Sequence, residues 1–534
     1  MAKSLWERWG CNGIFGQTAC LTRIFFRIRI SGRIVQIHQV AQPALSRHDR
    51  LLWALLALTA LIRLVAIDRP LLGNFATKNV VYAMIARNWA EGRADLWHPT
   101  LDCLVGDQRG LHMLEFPVSA YVAGGLWKLG KGSLDAWGRG VSVLFSVASV
   151  AVLWQLVVRR HGRVAAGAAC LVLALSPVCV LYGQSFMLES SLVFFVVGAW
   201  WAADRWAGSG RWSWLVVYGL CLSLLLLTKI YALVYLLPLL LIAWRPAFGQ
   251  AVWRARGMFF AASVLAMIPA GIWYAHAYAT GQPDSPLAHR VYYSVRNSAA
   301  VHALPSPLLR SPEFYVRMLD DLSGPVLTPV GCALLLASLL TGCWRTYGAW
   351  LAAAALLVLA LPLKFYEMNY YWMAVLPPLC VLAGVGWEAI HSRFCPSRMA
   401  VLGLVLLLAV WSLRYSARPA FVTPGEDRQV VAAGHELQRM AGPDDRVVTM
   451  HGSCIDLLYY CNRPGWAVDP GTKDLPAVLD ECRRNGARWL VLVGRASTEL
   501  EQVKFLTSVL HTNVRTYTAG SAVLESYSLY RVEP

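Results

Sequence analysis

The stretch LLWALLALTALIRLVAIDRPLLGNFATKNVVYAMIARNW, Leu51 to Trp89, decides how the rest of the chain is read. Residues 51–67 form an apolar run close to the roughly 20 residues that a helix needs to cross the hydrocarbon core of a bilayer. From Gly73 the pattern changes to a tight polar start, an amphipathic body and two cations, Lys78 and Arg87, with no carboxylate up to Trp89. A membrane-crossing segment that opens directly into a polar, helix-like surface segment predicts a membrane protein with a functional loop at one face.

The whole chain supports that reading. It has 534 residues, 57% hydrophobic and 15% charged, with a mean hydropathy of +0.47; soluble domains carry about 25% charged residues. This contrast excludes a single large soluble enzyme and a secreted disulfide scaffold, and points to a polytopic α-helical membrane protein. The net charge of +17 does not indicate nucleic acid. No basic stripe with interleaved aromatics is present, and the cations fall instead in the N-terminal 50 residues and in short links between apolar runs. CLTRIFFRIRISGRIVQIH, residues 20–38, is basic and amphipathic; it suits the cytoplasmic membrane surface, a poorly ordered tail, or a start codon assigned too early. The opening MAKSLWERWG lacks the compact apolar core of a cleavable signal peptide. The 13 cysteines show no CxxC or metal-ligand spacing. Most lie in apolar runs, and Cys454 with Cys461 is the one close pair in a soluble-looking region, where a disulfide or two free thiols both fit.

Eleven spans are predicted, near 51–67, 138–158, 164–182, 187–203, 213–228, 229–244, 257–278, 326–343, 348–364, 371–389 and 399–415. Their alternate loops carry Arg159, Arg160, Arg163, Arg205, Arg211, Arg245, Arg254, Arg256, Arg345, Arg393 and Arg398, against Asp204 and Glu388. This positive-inside pattern puts the N-terminus (1–50) in the cytoplasm. A transmembrane domain (51–415) then exposes outer loops 68–137 and 279–325, and residues 416–534 follow on the outer side, the periplasm of a bacterial inner membrane. PVSAYVAGGLWKLG within the first loop is too short to cross. In the tail, EDRQVVAAGHELQRMAG and DLPAVLDECRRNGA have helical period, RVVTMHG and RWLVLVG read as buried strands, and VRTYTAGSAVLESYSLYRV as a terminal hairpin. The tail is therefore expected to be a small α/β domain.

Ionisable groups at membrane depth are expensive and mark function. They gather on the outer side: Glu115 in EFPVSAY, Glu189 in SFMLESS, Lys229 at the hairpin between two spans, and Lys364 and Glu367 in LKFYEMNYYW. Cations beside carboxylates suit a phosphate-linked lipid substrate. A lysine neutralises the departing phosphate and a carboxylate takes the proton of the attacking hydroxyl. No Walker loop or GxGxxG motif offers a nucleotide site.

These pieces, YAMIARNW, EFPVSAYVAGGLWKLG, SFMLESSLVFF, TKIYALVYLLPLL, NYYWMAVLPPLCVLAGVGW and LLYYCNRPGW followed by NGARWLVLV, together resemble GT-C class membrane glycosyltransferases. The likeness is to the bacterial protein-mannosyltransferase and aminoarabinose-transferase-like group, and it covers most of residues 50–500. It implies an enzyme that moves a hexosyl or pentosyl group, with inversion, from a polyprenyl-phosphate donor to an outer-face acceptor. That acceptor would be lipid A or another glycolipid, a polysaccharide, or a protein hydroxyl. Beyond this donor substrate it names no certain cofactor and leaves a divalent metal open.

Many members of that group carry Asp-Glu four residues ahead of the tyrosine in a Tyr-Ala-x-Ile-x-Arg stretch. Aligned on Tyr82, Ala83, Ile85 and Arg87, those positions hold Lys78 and Asn79, so the usual acid is missing. The resemblance leaves Glu189 and Glu115 as catalytic carboxylates. The alternatives are a Glu solvated at a helix N-terminus and an ordinary loop Glu. Asp102 and Asp107, in LDCLVGDQRG, could supply a base from a mobile loop. Lys78, Tyr82, Lys229, Lys364 and Tyr371 are the expected donor-phosphate ligands, with snorkelling at helix ends the competing role for Lys229 and Lys364. Tyr371 and Asn369 stand where relatives often place a histidine ahead of two tyrosines, which implies hydrogen bonding to the donor, and His289, Arg290 and Arg296, in the second outer loop, could contact an acceptor. At 100° per residue Tyr82 shares a helix face with Lys78 and Arg87 points away, so Arg87 is expected to anchor the loop. Two other function classes compete: a non-catalytic relative that binds the lipid carrier, and a transporter or flippase. The second is disfavoured because the polar groups gather at one face rather than at mid-membrane.

Overall fold

A computed structural model describes residues 49–243, 252–280, 306–494 and 526–532, apart from Asn74, Gly106 and Ser453, together with the backbone of 26–30, 33–37 and 512–518. The chain forms two compact units, Met1–Asp49 and Arg50–Pro534. In the first, β1 (Phe26–Ile30) and β2 (Arg33–Ile37) pair antiparallel. Everything below concerns the second unit.

Its helical part begins with α1 (Arg50–Leu64). The long element α4 (Leu134–Leu175) contains both apolar stretches expected at 138–158 and 164–182. It breaks at Gly162, whose φ of 83° is a left-handed conformation that glycine adopts without strain. Across the break the two halves fold back on one another. Cys170 Sγ lies 3.5 Å from the Val150 carbonyl, where a continuous helix would separate those residues by about 30 Å. There follow α5 (Pro177–Tyr182), α6 (Glu189–Ser209), α7 (Trp212–Thr228), a 3-10 turn (Ile230–Tyr235), α8 (Leu236–Ile242) and α9 (Val252–Thr280). Beyond 306 come α10 (Pro312–Asp321), α11 (Thr328–Leu340), α12 (Trp344–Ala360), α13 (Pro362–Glu367), α14 (Trp372–Phe394) and α15 (Arg398–Phe421).

Four described helical segments are long and apolar enough to cross a membrane: Leu134–Leu175, Ala255–Thr280, Asn369–Phe394 and Arg398–Phe421. A fifth is added if Pro312–Val326 and Thr328–Leu340, bent by 108°, count as one span. Trp212–Thr228, Ile230–Ile242 and Trp344–Ala360 are shorter apolar helices. Of the four long segments, the one containing α14 is the most enclosed, buried from Trp372 through Gly386. Its Gly386 allows a very close approach to α11, since a Cβ there would lie 1.8 Å from the Leu334 carbonyl oxygen. By contrast α15 exposes Leu402, Leu406, Leu407, Val410 and Leu413.

The rest of the unit is built on a sheet. The segment after α1 supplies α2 (Ala76–Ala90), β3 (Thr100–Val105), β4 (Gln108–Leu111) and α3 (Val118–Gly130). The tail supplies α16 (Gly425–Met440), β5 (Arg446–Met450), α17 (Asp456–Cys461), β6 (Gly465–Ala467), α18 (Leu475–Arg484), β7 (Ala487–Val493), β8 (Thr512–Thr518) and β9 (Ser526–Arg531). The tail segments read as helices and strands fold as such. The sheet is not confined to the tail, however: its order is β4-β3-β6-β5-β7-β9-β8. The run β3, β6, β5, β7 is parallel, and β4, β9 and β8 join antiparallel.

Buried polar contacts fasten this layer to the helices. Asp135, in the first turn of α4, accepts hydrogen bonds from Tyr459 (2.6 Å) and Tyr460 (2.7 Å). The Tyr460 hydroxyl in turn accepts from the Leu71 amide at 2.7 Å. Cys454 and Cys461 are both free thiols, so no disulfide links them. Cys461 is fully buried in α17 and Cys454 faces the Thr77 hydroxyl at 3.0 Å.

Candidate active site

The helix α2 begins where Phe75 takes a left-handed φ of 56°, and Asn79 then locks it in place. Its side-chain amide donates to the Phe75 carbonyl at 3.1 Å, and its Oδ1 accepts the Phe186 amide at 2.7 Å. Lys78 and Tyr82 project from one face of α2 toward Glu115. Arg87 projects from another, donating to Asp102 at 2.5 Å and to the Tyr459 carbonyl at 3.1 Å, with its guanidinium 4.6 Å from the Tyr459 ring. The 100° spacing of the helix thus separates a site face from an anchoring face.

Glu115 follows β4 on a segment clamped through its backbone. Trp273 of α9 donates to the Leu114 carbonyl at 2.9 Å, and the Phe116 amide donates to the Leu227 carbonyl at 3.0 Å. The second contact brings Glu115 to the end of α7, where Lys229 sits in extended backbone between that helix and the following 3-10 turn. Glu189 is the first residue of α6, where the helix dipole favours a carboxylate.

These elements converge on one carboxylate oxygen. Glu115 Oε1 accepts from Lys229 at 2.7 Å, from Lys78 at 3.4 Å and from the Tyr82 hydroxyl. Lys229 also lies 3.6 Å from Glu189 Oε1. Lys229 and Glu189 are buried, whereas the Lys78 side chain keeps 24% of its surface. Burial acts to raise the Glu115 carboxyl, but Lys229 and Lys78 outweigh it and hold the group well below the usual carboxylate range. For Tyr82, burial and the Glu115 charge push the hydroxyl well above its ordinary value, so it stays a donor.

Lys364, half-buried on α13, adds a further cation, and its charge interacts with Lys78, Glu367, Lys229 and Glu115. Tyr371 stacks on Tyr370 at 4.9 Å and faces Tyr231 at 5.4 Å. Asn369 accepts a hydrogen bond from Tyr182. All seven residues expected at the site therefore lie in one connected neighbourhood.

Two other sequence expectations fare differently. Asp102 is not a base on a mobile loop. It lies in β3 with no exposed surface, held by Arg87, Arg109 and, at 3.8 Å, Arg93. Three cations on a buried carboxylate make it a fastener between α2 and the sheet. Asp107 is exposed and pairs with Arg446 at 2.7 Å. His289, Arg290 and Arg296 lie outside the described residues. Among the described residues no group of three or more His, Cys, Asp or Glu side chains is placed to share a metal ion.

Sequence reasoning missed His112 and Tyr231. His112 packs edge-on to Tyr82, with ring centroids 6.2 Å apart. Burial lowers its imidazole to about 4, leaving it neutral. The available signal was proximity to Glu115, three residues on.

Residues 115–274, which include Glu115, Glu189 and Lys229, match the profile of the family described as dolichyl-phosphate-mannose-protein mannosyltransferase. The crystal structure of ArnT from Cupriavidus metallidurans in the apo state superposes with a TM-score of 0.59 at 15% identity, covering 91% of this chain and 98% of ArnT. The fold is that of the GT-C glycosyltransferases. ArnT bound to undecaprenyl phosphate matches this GT-C fold with a TM-score of 0.55 at 12% identity, over 90% of this chain and 97% of ArnT. The mycobacterial arabinofuranosyltransferase AftD matches with a TM-score of 0.54 at 14% identity, over 92% of this chain and 40% of its own. No curated protein matches the chain in sequence.

Proposed function

We propose that this chain is a membrane glycosyltransferase that moves a hexosyl or pentosyl group, with inversion, from a polyprenyl-phosphate donor to an acceptor at the outer face of the inner membrane. The observation that carries the proposal is the meeting of Lys78, Lys229, Tyr82 and Glu115, with Lys364 beside them, in a GT-C fold. An anion is the natural guest of three lysines facing two carboxylates. Lys78 and Lys364, the less buried of the three, would hold the donor phosphate; one ArnT structure of the same fold is bound to undecaprenyl phosphate.

Glu115 is the base in this reading. The position where relatives place an acid holds Lys78, and Lys78 is ion-paired to Glu115; the carboxylate comes from across the site instead of from α2. A phosphate that draws Lys78 to itself removes one of the charges holding Glu115 acidic and so strengthens it as a base. Glu115 then takes the proton of the acceptor hydroxyl, whose oxygen attacks the anomeric carbon. The bond from that carbon to the phosphate oxygen breaks, and polyprenyl phosphate leaves with its charge met by the lysines. Glu189, behind Lys229, keeps that lysine in place. Tyr371 flanks the donor.

The acceptor is an outer-face glycolipid such as lipid A, a polysaccharide or a protein hydroxyl. The cationic links support a cytoplasmic tail 1–50, a transmembrane domain 51–415 of about eleven spans among membrane lipids, and a periplasmic α/β portion 416–534.

The test is transfer in nanodiscs from polyprenyl-phosphate sugars to an outer-membrane glycolipid extract. Glu115→Gln should lower turnover by about 10²–10⁴ while undecaprenyl phosphate still binds. Undiminished transfer in that variant moves the base elsewhere. Donor binding without transfer by the wild type would favour a non-catalytic carrier-binding protein, and vectorial movement of the lipid without transfer a flippase.

A further inference from the structure

Buried polar atoms in folded proteins are nearly always hydrogen-bonded, so a cluster of unpartnered ones calls for an explanation. Three residues around the Lys229–Glu115 pair carry such atoms: both ring nitrogens of His112, the hydroxyl of Tyr231 and Oε2 of Glu189. They come from three separate elements, the segment after β4, the 3-10 turn after α7 and the start of α6. Each is within reach of the same charges. Glu115, Lys78 and Lys229 act on His112, and Lys229, Glu189 and Glu115 act on Tyr231.

The chemistry of this set is not that of a phosphate site. A phosphate needs donors and positive charge, and Glu189 would repel it. A neutral imidazole offers one donor and one acceptor, a phenol offers both, and a carboxylate oxygen accepts. Sugar hydroxyls, each both donor and acceptor, are the complementary ligand. The cations and these neutral or acidic groups thus divide the site into a phosphate part and a polyol part.

We propose that His112, Tyr231 and Glu189 Oε2 form the subsite that hydrogen-bonds the hydroxyls of the donor's transferred sugar and so determine which sugar is used. This rests on the reading of the chain as a polyprenyl-phosphate-sugar-dependent enzyme. A buried polar group left unpaired by the wrong ligand weakens binding by about tenfold, so sugar choice should be sensitive to each of the three.

The experiment measures binding by the full chain in nanodiscs of undecaprenyl phosphate and of undecaprenyl phosphate linked to glucose, mannose, arabinose or 4-amino-arabinose. Wild type, Tyr231→Phe and His112→Gln are compared. Tyr231→Phe removes a single hydroxyl and so guards against a folding defect. The expected result is that wild type binds one glycosylated lipid at least about tenfold tighter than the bare phosphate. Each variant should lose most of that preference while its affinity for undecaprenyl phosphate stays within about twofold.

An unchanged preference in both variants overturns the subsite. So does an equal loss of affinity for bare and glycosylated lipid, which would place these groups on the phosphate or the packing. A wild type that binds undecaprenyl phosphate but prefers no glycosylated form also overturns it, while leaving phosphate recognition intact. A wild type that binds no polyprenyl phosphate brings down the donor reading itself, and the subsite with it.

Discussion

Replacing Lys229 with Met removes a buried cation shared by two carboxylates, Glu115 and Glu189. Lys229 Nζ lies 2.7 Å from Glu115 and 3.6 Å from Glu189, and its side chain is 5% exposed. Methionine fills nearly the same volume without charge. Breaking a buried pair by removing one partner costs about 3–5 kcal/mol. Glu115 keeps Lys78 at 3.4 Å, which sets the expectation at the lower end, about 3 kcal/mol. A unit the size of Arg50–Pro534 has an unfolding entropy of about 1 kcal/mol/K. The melting temperature at pH 7.5 should therefore fall by about 3 °C.

The pH dependence gives the sharper test. In the wild type Glu115 is held below the usual range, so its stabilisation is complete above the unfolded value of about 4.3 and is lost as pH falls through the folded one. In Lys229→Met, burial dominates and the Glu115 carboxyl rises, so the variant's deficit is largest at neutral pH. It should shrink as the pH falls toward about 5 and the carboxyl protonates. Intrinsic tryptophan fluorescence melts at one scan rate in one detergent, at pH 7.5, 6 and 5, read this directly. An offset that stays constant or widens on acidification would refute the reasoning, because Lys229 would then not be opposing the charge of these carboxylates.

Two further outcomes follow from the same geometry. Asp102→Asn leaves Arg87, Arg93 and Arg109 around a neutral amide. It should cost about 3–5 kcal/mol and hasten limited proteolysis between residues 91 and 112, while wild-type resistance there would show that the cluster does not fasten the loop. Gly386→Ala forces a methyl group to within 1.8 Å of the Leu334 carbonyl oxygen. The helices α11 and α14 must separate, so the melting temperature should fall by several degrees with site-directed binding of undecaprenyl phosphate retained in the folded fraction; an unchanged melt would contradict the close approach.

What could be read from the chain was whatever is local and periodic. The apolar runs are legible as helices because a helix satisfies its own backbone; a described helix overlaps each of the eleven predicted runs, and four described segments, or five with the bent pair, are long and apolar enough to cross a membrane. Lys78 with Tyr82 on one face and Arg87 on another follows from 100° per residue alone. The departure at Lys78 was visible too, and with it the question of where the acid had gone.

The tertiary structure decided the rest, because the deciding contacts join residues far apart in sequence. Glu115 is met by Lys229 because the Phe116 amide bonds the Leu227 carbonyl, a pairing no local pattern encodes. The β3–β4 hairpin in LDCLVGDQRG joins the strands of the tail only where Cys103 lies beside Gly465, some 360 residues on, and Asp102 on β3 is a buried fastener rather than a loop acid. His112 and Tyr231 carried no motif; they become conspicuous only when the folded site leaves their polar atoms buried without partners. Sequence sets which residues can be apolar, helical or charged, since those are properties of neighbours along the chain. Which carboxylate meets which cation is set by how the helices and the sheet close in space.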